Sequence, residues 1–209
     1  MKLSQREKVF CFASVIAMTA IFATRGVAQD GAVSGQFTYR GFTLDVSAAT
    51  KFSNFSDIET SLERQIDIVA DSGVRPEIIE FFKSQRITVV PGLESEKGQP
   101  GLFEPRRGVL IAAMPKQREP VLLHELLHAF QANRLGDNNP EISTYYERAR
   151  ANHFYDQHSH MMQNVKEYFA VSGSLYLVGR LDQPPYYRER LKQQPNYYAW
   201  LGQQFGVQY

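Results

Sequence analysis

Five consecutive residues, His124 to His128, include the residue types that bind a metal ion and move a proton. They spell His-Glu-Leu-Leu-His, so two histidines stand four residues apart with a glutamate between them. On a helix, positions i and i+4 lie on one face, where two imidazoles can bind one Zn²⁺ ion at about 2.0–2.1 Å each. Glu125 then lies beside the metal, where its carboxylate can accept a proton from a water molecule. The spacing therefore predicts a hydrolytic zinc site with His124 and His128 as ligands and Glu125 as general base.

The residues around this motif predict the helix that the site needs. Residues 117–132 contain strong helix formers, with Pro120 in a first turn and stop signals at Asn133 and Gly136. Apolar residues cover most of the helix circumference, which predicts a buried helix. Two histidines and a glutamate inside a buried helix cost free energy unless they have partners, and a metal ion provides one. The alternative is a buried helix whose histidines bond to backbone carbonyls.

A zinc site of this kind needs a third protein ligand, and the chain offers several candidates. Glu167 lies in a second predicted helix, residues 164–178, and would complete the His₂Glu ligand set of catalytic zinc sites. Any one of His153, His158 and His160 could take that position instead. Three nearby carboxylates are candidate partners that orient the histidine rings: Asp137, Glu147 and Asp156.

Residues 101–209 resemble the zincin domain of the anthrax toxin lethal factor family, in particular its small bacterial relatives. The resemblance rests on four stretches: residues 101–104 before 108–112, the motif at 124–129, residues 139–142 before 145–146 and Ala149, and Glu167-Tyr168-Phe169-Ala170. In that family the glutamate of the last stretch is the third zinc ligand. The resemblance thus implies that Glu167 completes the metal site of a zinc metallopeptidase.

The resemblance also implies a group that stabilises the oxyanion formed when a peptide bond is attacked. The family commonly has a tyrosine seven residues before the ligand glutamate, and His160 stands at that position here. An imidazole N–H can donate a hydrogen bond to an oxyanion, so His160 is an expected donor. Tyr155 lies nearby in the sequence and is the alternative donor.

The first 28 residues predict a signal peptide. A basic start is followed by an uncharged, mostly apolar run over residues 9–24, and Gly26-Val27-Ala28 offers small residues for cleavage after Ala28. The run is shorter than the about 20 residues of a membrane-spanning helix, so we expect a secreted or periplasmic protein without stable membrane insertion, an uncleaved anchor being the alternative. Cys11, the one cysteine of the chain, would leave with the signal. Neither a thiolate ligand nor a disulfide is therefore expected.

Composition and patterning predict one α+β domain over residues 29–209. The 23 Lys and Arg residues nearly balance the 22 Asp and Glu residues, which argues against a nucleic-acid partner. Alternating residues predict a strand or hairpin at 35–47, and helical spacing predicts helices at 57–72 and 76–84. Strands are expected at 86–90 and 108–114, with a surface loop at 94–107 between them. In zincins the strand before the active-site helix lies at the sheet edge beside the cleft, where an extended substrate can add to it. The resemblance implies that residues 109–114 form this strand, and a plain core strand is a compatible alternative. Most aromatic residues after position 184 are expected to pack onto the core, although a substrate groove is the alternative.

Together these features predict an exported zinc metallopeptidase with a zincin-like α+β fold, a small mixed sheet and a C-terminal helical part. His124, His128 and Glu167 would bind Zn²⁺, and a peptide or protein would be the substrate. Two other functions stay open: a zinc-binding pseudoenzyme that acts as a binding module of the cell envelope, and a zinc hydrolase that cleaves a non-peptide amide.

Overall fold

A mixed five-stranded sheet is built by the first part of the described chain. The structure is a computed structural model that describes residues 35–116, 118–182 and 185–209. The strands of the sheet are β1 (Gln36–Tyr39), β2 (Phe42–Asp45), β3 (Ile87–Val89), β4 (Gly101–Glu104) and β5 (Gly108–Ile111). Their spatial order is β1-β2-β3-β5-β4. The central strands β2, β3 and β5 are parallel, whereas β1 and β4 run antiparallel to their neighbours.

Helices follow and flank this sheet. The described residues form α1 (Phe55–Ala70), α2 (Pro76–Lys83), α3 (Leu93–Lys97), α4 (Val121–Phe130), α5 (Pro140–Ala151), α6 (Val165–Val178), α7 (Arg188–Lys192) and α8 (Pro195–Phe205). A π-helical turn (Gln131–Leu135) continues α4, and a 3₁₀ turn (His160–Met162) precedes α6. A separate two-stranded sheet joins β6 (Arg180–Asp182) to β7 (Pro185–Tyr187). Among the described residues, no helix has the length and apolar character needed to cross a membrane.

Most of the elements expected from the sequence are confirmed. The segment 35–47 forms the antiparallel hairpin of β1 and β2, and its turn residues Arg40 and Gly41 both have positive φ, at 48° and 82°. The expected helices correspond to α1, α2, α4 and α6, with boundaries that differ by a few residues. The predicted signal peptide at residues 1–28 lies outside the described residues, as does Gln117.

Two expectations about the sheet are wrong. The segment 94–107 is not a plain surface loop, because it contains most of helix α3 and all of strand β4. The strand at 108–114 is β5, which ends at Ile111 and lies between β3 and β4 rather than at the edge. The edge next to α4 is formed by β4. Its four residues show no alternation of their own and become a strand by pairing with β5.

Helix α4 lies at the centre of the fold. It packs against the strands β4 and β5 and against the helices α1 and α6. Its four leucines are fully buried. The buried side chain of Gln65 on α1 fixes the start of α4 by accepting a hydrogen bond from the backbone N–H of Leu122 at 3.1 Å and donating one to the carbonyl of Glu119 at 2.8 Å. This contact satisfies a backbone donor at a helix end that has no side-chain cap of its own.

The aromatic C-terminal residues mainly complete the core, as expected. Tyr197 and Trp200 on α8 are almost fully buried, and Tyr197 stacks on Tyr168 of α6 at a ring-centroid distance of 5.0 Å. Burial of large rings gives this part of the chain much of its hydrophobic stabilisation. Helix α6 is thereby held between α8 and α4, which sets the position of the side chains that α6 presents to α4.

Candidate metal centre

The two histidines of the motif face a common point, as the helical spacing predicts. His124 and His128 lie one turn apart on α4, with their Nε2 atoms 3.1 Å apart. Their rings are nearly perpendicular, with an interplanar angle of 86°. Both side chains are mostly buried but keep 16% and 11% exposure, and both line an open cavity.

Glu167 reaches the same point from the first turn of α6. The side chain of Asn164 caps this helix by accepting hydrogen bonds from the backbone N–H groups of Lys166 and Glu167 at 2.9 and 3.0 Å. The carboxylate of Glu167 lies with Oε2 3.2 Å from His124 Nε2 and Oε1 3.4 Å from His128 Nε2. The structure thus brings together the three residues that the sequence predicts as metal ligands.

The geometry of these donors fits a zinc ion. Two ligand atoms at about 2.0–2.1 Å from a tetrahedral ion are separated by about 3.3–3.4 Å. The separations among His124, His128 and Glu167 are 3.1, 3.2 and 3.4 Å. The buried Oε2 atom of Glu167 lies 3.2 Å from His124 Nε2 and 2.8 Å from His160 Nε2. A cation bound between the carboxylate and these nitrogens would compensate the buried charge of Glu167.

Electrostatics at the cluster favour an ionised Glu167 and a neutral His124. Burial alone would raise the pKa of Glu167, but the three imidazoles around it hold that pKa well below its usual range. Burial lowers the pKa of His124, which favours the neutral imidazole. A carboxylate anion and a neutral imidazole are the forms in which these side chains bind a metal.

His160 also lies at the cluster. Its Nε2 atom is 2.8 Å from Glu167 Oε2, and its side chain is 47% exposed. The ligand atoms of His124, His160 and Glu167 all lie within 4.8 Å of one another. His160 therefore has the position of either a hydrogen-bond donor beside the metal or a further ligand. The adjacent carboxylate of Glu167 raises the pKa of His160, against the effect of partial burial.

Tyr155, the other candidate oxyanion donor, lies apart from the cluster. Its side chain is buried, its hydroxyl accepts a hydrogen bond from Gln194 Nε2 at 3.0 Å, and its ring packs edge-on against Tyr186. Among the described residues that line the cavity, Tyr155 does not occur. Proximity in sequence to His160 did not bring Tyr155 to the site, because its ring packs against Phe154 and Tyr186 and its hydroxyl pairs with Gln194.

Of the other histidines and carboxylates considered from the sequence, Asp137 lines the same cavity, and none contributes to the described ligand cluster. His153 and His158 are exposed and contribute no atom to the described cluster. Asp137 pairs with Lys166 at 2.9 Å, and Asp156 accepts a hydrogen bond from the backbone of His158 at 2.9 Å. Glu147 is exposed on α5. Neither of these two aspartate contacts involves a ring of His124 or His128.

Glu125 is buried beside the cluster and against strand β4. Its residue exposure is 6%, and burial, followed by the charge of Glu167, raises its pKa to about 8. A hydrogen bond from the backbone N–H of Phe103 opposes this rise. A nearby divalent cation would favour the ionised form as well. The carboxylate of Glu125 thus lies in the wall of the cavity that also contains the cluster.

Gly101 makes this position of Glu125 possible, and sequence reasoning did not identify it. A Cβ atom at residue 101 would lie 2.7 Å from Glu125 Oε1 and 2.8 Å from Val121 Cγ1. Only a glycine therefore allows β4 to approach α4 this closely. The signal that could have revealed it, the pairing of β4 with β5, comes from tertiary structure.

An open cavity of about 900 Å³ gives access to the histidine and glutamate cluster and to Glu125. Its lining includes His124, Glu125, His128, His160 and Glu167. Strand β4 borders it through Gly101, Leu102 and Phe103, and further along α6 the lining continues with Val171 and Ser174. A cavity of this size can accept several residues of an extended chain.

Comparison of the chain with models of known protein families, with curated proteins and with solved structures finds no match. Function is therefore inferred from the residues of the site itself.

Proposed function

We propose that this chain is an exported zinc metallopeptidase with a zincin-like fold, similar to the zincin domain of the lethal factor family. His124, His128 and Glu167 hold the Zn²⁺ ion. The observation that carries the proposal is the approach of their donor atoms to within 3.4 Å of one another, next to the buried carboxylate of Glu125. Secretion or a periplasmic location rests on the pattern of residues 1–28.

Each group of the site has a distinct role in hydrolysis. A bound Zn²⁺ ion would supply Lewis acidity, which lowers the pKa of a water molecule toward about 7. Glu125 accepts a proton from the attacking water and delivers it to the leaving amine. His160 donates its ring N–H to the carbonyl oxygen as negative charge develops there. Its half-exposed position beside Glu167 leaves this imidazole accessible from the cavity.

The position of strand β4 supports a peptide as the substrate. It is one of the two outer strands of the five-stranded sheet, and Gly101, Leu102 and Phe103 line the cavity that contains the metal-binding side chains. An extended peptide can add to such an edge through main-chain hydrogen bonds, which bind many sequences without a specific side chain. The peptide carbonyl would thereby be placed beside Glu125 and the metal.

Metal-dependent cleavage tests the proposal. The purified protein, loaded with zinc, is incubated with denatured casein and with a proteome-derived peptide library. We expect cleavage that EDTA abolishes and added zinc restores, because the zinc ion supplies the Lewis acid. Mass spectrometry of the products identifies the broken bonds. Zinc binding without any peptide cleavage would contradict the proposal and would direct the search to non-peptide amides.

One contact favours a second candidate, a zinc-binding protein without hydrolytic activity that acts as a binding module of the cell envelope. His160 lies 2.8 Å from Glu167 and forms part of the same ligand group. A fourth protein ligand would occupy the position that catalytic zinc sites keep open for water. X-ray absorption of the zinc-loaded protein distinguishes the two: three imidazoles and one carboxylate without water would favour the binding module.

Gly101→Ala is expected to keep the bound zinc but to lower peptide hydrolysis by about 10²-fold, since a displacement of about 1 Å at a reacting group has effects of this size. The added methyl group would collide with Glu125 and Val121 and displace the carboxylate. The rate kcat/KM on one cleaved peptide and the zinc content are measured together. Gly136→Ala is the control for loss of a glycine, because a Cβ at that position meets no atom within 4 Å, although its φ of 91°, unlike that of Gly101, strains an alanine backbone. Full activity of Gly101→Ala would show that Glu125 does not act from its position against β4.

A further inference from the structure

Three residues on one face of α6, beginning with the candidate ligand Glu167, line the cavity one after another. Glu167, Val171 and Ser174 stand at positions i, i+4 and i+7 of the helix, and all three belong to the cavity wall. Because an α-helix has 3.6 residues per turn, such positions lie along one stripe. The cavity thus extends about two turns along α6 beyond the metal-binding carboxylate.

Branched apolar side chains belong to the wall of the same cavity. Val121 lies on α4 one turn before Glu125, and Leu181 lies on β6 after the end of α6. Val121, Val171 and Leu181 all line the cavity, and each keeps 7% exposure. These three side chains offer apolar contact to a compact group, in a wall that also contains the charged residues Lys116 and Glu119.

Ser174 differs from these walls in carrying a hydroxyl group that has no partner. The residue is 1% exposed, and its Oγ atom makes no hydrogen bond to any described residue. Serines inside helices commonly donate to a backbone carbonyl one turn earlier. Ser172 does so, with Oγ 2.5 Å from the carbonyl oxygen of Tyr168. The hydroxyl of Ser174 therefore keeps its donor and its acceptor capacity in a place where water is largely excluded.

We propose that Val121, Val171, Leu181 and Ser174 form a subsite that selects the substrate side chain next to the cleaved bond. The inference rests on the proposed peptidase function and extends it to a substrate class. The preferred side chain is compact and branched and carries one hydroxyl, so threonine is favoured over valine. Threonine and valine have nearly the same shape, and only threonine can exchange a hydrogen bond with the Ser174 hydroxyl. A partner that fills the apolar space and pairs with this hydroxyl removes the cost of an unpartnered buried group.

A pair of peptides and a pair of variants test the subsite. Cleavage sites in the peptide library first locate the flanking position with a preference, and two peptides are then made that differ only by threonine or valine there. We expect the parent protein to favour the threonine peptide by about 5- to 10-fold in kcat/KM, the effect of one hydrogen bond between neutral groups. In Ser174→Ala this ratio falls to about 1, while Ser56→Ala, on the exposed face of α1, keeps the ratio of the parent.

Binding and stability provide readouts that do not depend on turnover. The zinc-loaded Glu125→Gln variant is expected to bind the threonine peptide more tightly by the same factor in calorimetry, and the added Ser174→Ala change removes the difference. Ser174→Ala is also expected to leave the melting temperature unchanged or to raise it, since it deletes an unpartnered buried hydroxyl.

The outcomes separate the two proposals. Equal cleavage of the threonine and valine peptides by the parent overturns the subsite alone, as does a threonine preference that survives Ser174→Ala. Absence of peptide cleavage by the zinc-loaded parent overturns the proposed function, and the subsite with it.

Discussion

The Glu125→Gln variant is expected to bind zinc as the parent does and to hydrolyse peptides about 10²–10⁴-fold more slowly, the range associated with loss of a general acid–base group. Glutamine keeps the shape of the side chain in the tight space beside Gly101. Its amide, however, cannot accept a proton from the attacking water or deliver one to the leaving amine. Zinc content is measured by mass spectrometry, and kcat/KM on one cleaved peptide is measured on the same samples.

The Glu125→Gln substitution is expected to change catalysis without lowering the stability of the fold. Glu125 is buried, and the nearby charge of Glu167 contributes to the rise in its pKa. With a pKa of about 8, Glu125 is mostly protonated in the metal-free protein at pH 7, so the neutral glutamine changes its charge little and the melting temperature should not decrease. Glu147→Gln, at an exposed position of α5, is the matched control and should keep the parent rate. Parent activity in a zinc-loaded Glu125→Gln protein would exclude Glu125 as the general base.

The second large effect is expected for Glu167→Ala, which should weaken zinc binding by at least about 100-fold. This exceeds the about 10- to 100-fold loss typical of groups that only orient a ligand. The carboxylate of Glu167 contacts the imidazoles of His124, His128 and His160 at 2.8–3.4 Å, so alanine removes the group on which all three converge. Zinc affinity is measured by competition with a chelator of known affinity, with Glu147→Ala as the control.

A parallel His160→Ala variant assigns the remaining position. If His160 is a hydrogen-bond donor in catalysis, His160→Ala keeps most of the zinc affinity and loses activity, whereas loss of both would indicate a metal ligand. Normal zinc binding by Glu167→Ala together with weak binding by His160→Ala would replace the proposed ligand set by His124, His128 and His160. The pair of variants therefore assigns the third ligand, because the ligand atoms of Glu167 and His160 both lie within 4.8 Å of that of His124.

Local spacing in the sequence was sufficient to predict the central part of the site. The four-residue spacing of His124 and His128 places both imidazoles on one face of any helix, and the apolar residues around them predict that this helix is buried. The hairpin of β1 and β2 and the helices α1, α2 and α6 follow equally from short-range patterns. A helical pattern and a family resemblance predict Glu167 as the third ligand, and in the structure its carboxylate lies beside the two histidines.

Only the tertiary structure decided which distant residues surround these groups. The short strand β4 has no pattern of its own and exists because it pairs with β5, which moved the sheet edge away from the strand expected there. The need for glycine at position 101 follows from the distance between β4 and α4. The separation of Tyr155 from the cluster depends on its contacts with Tyr186 and Gln194, which lie more than 30 residues further along the chain. These features result from contacts between segments far apart in the chain, whereas helical periodicity reports only on neighbours within a turn or two.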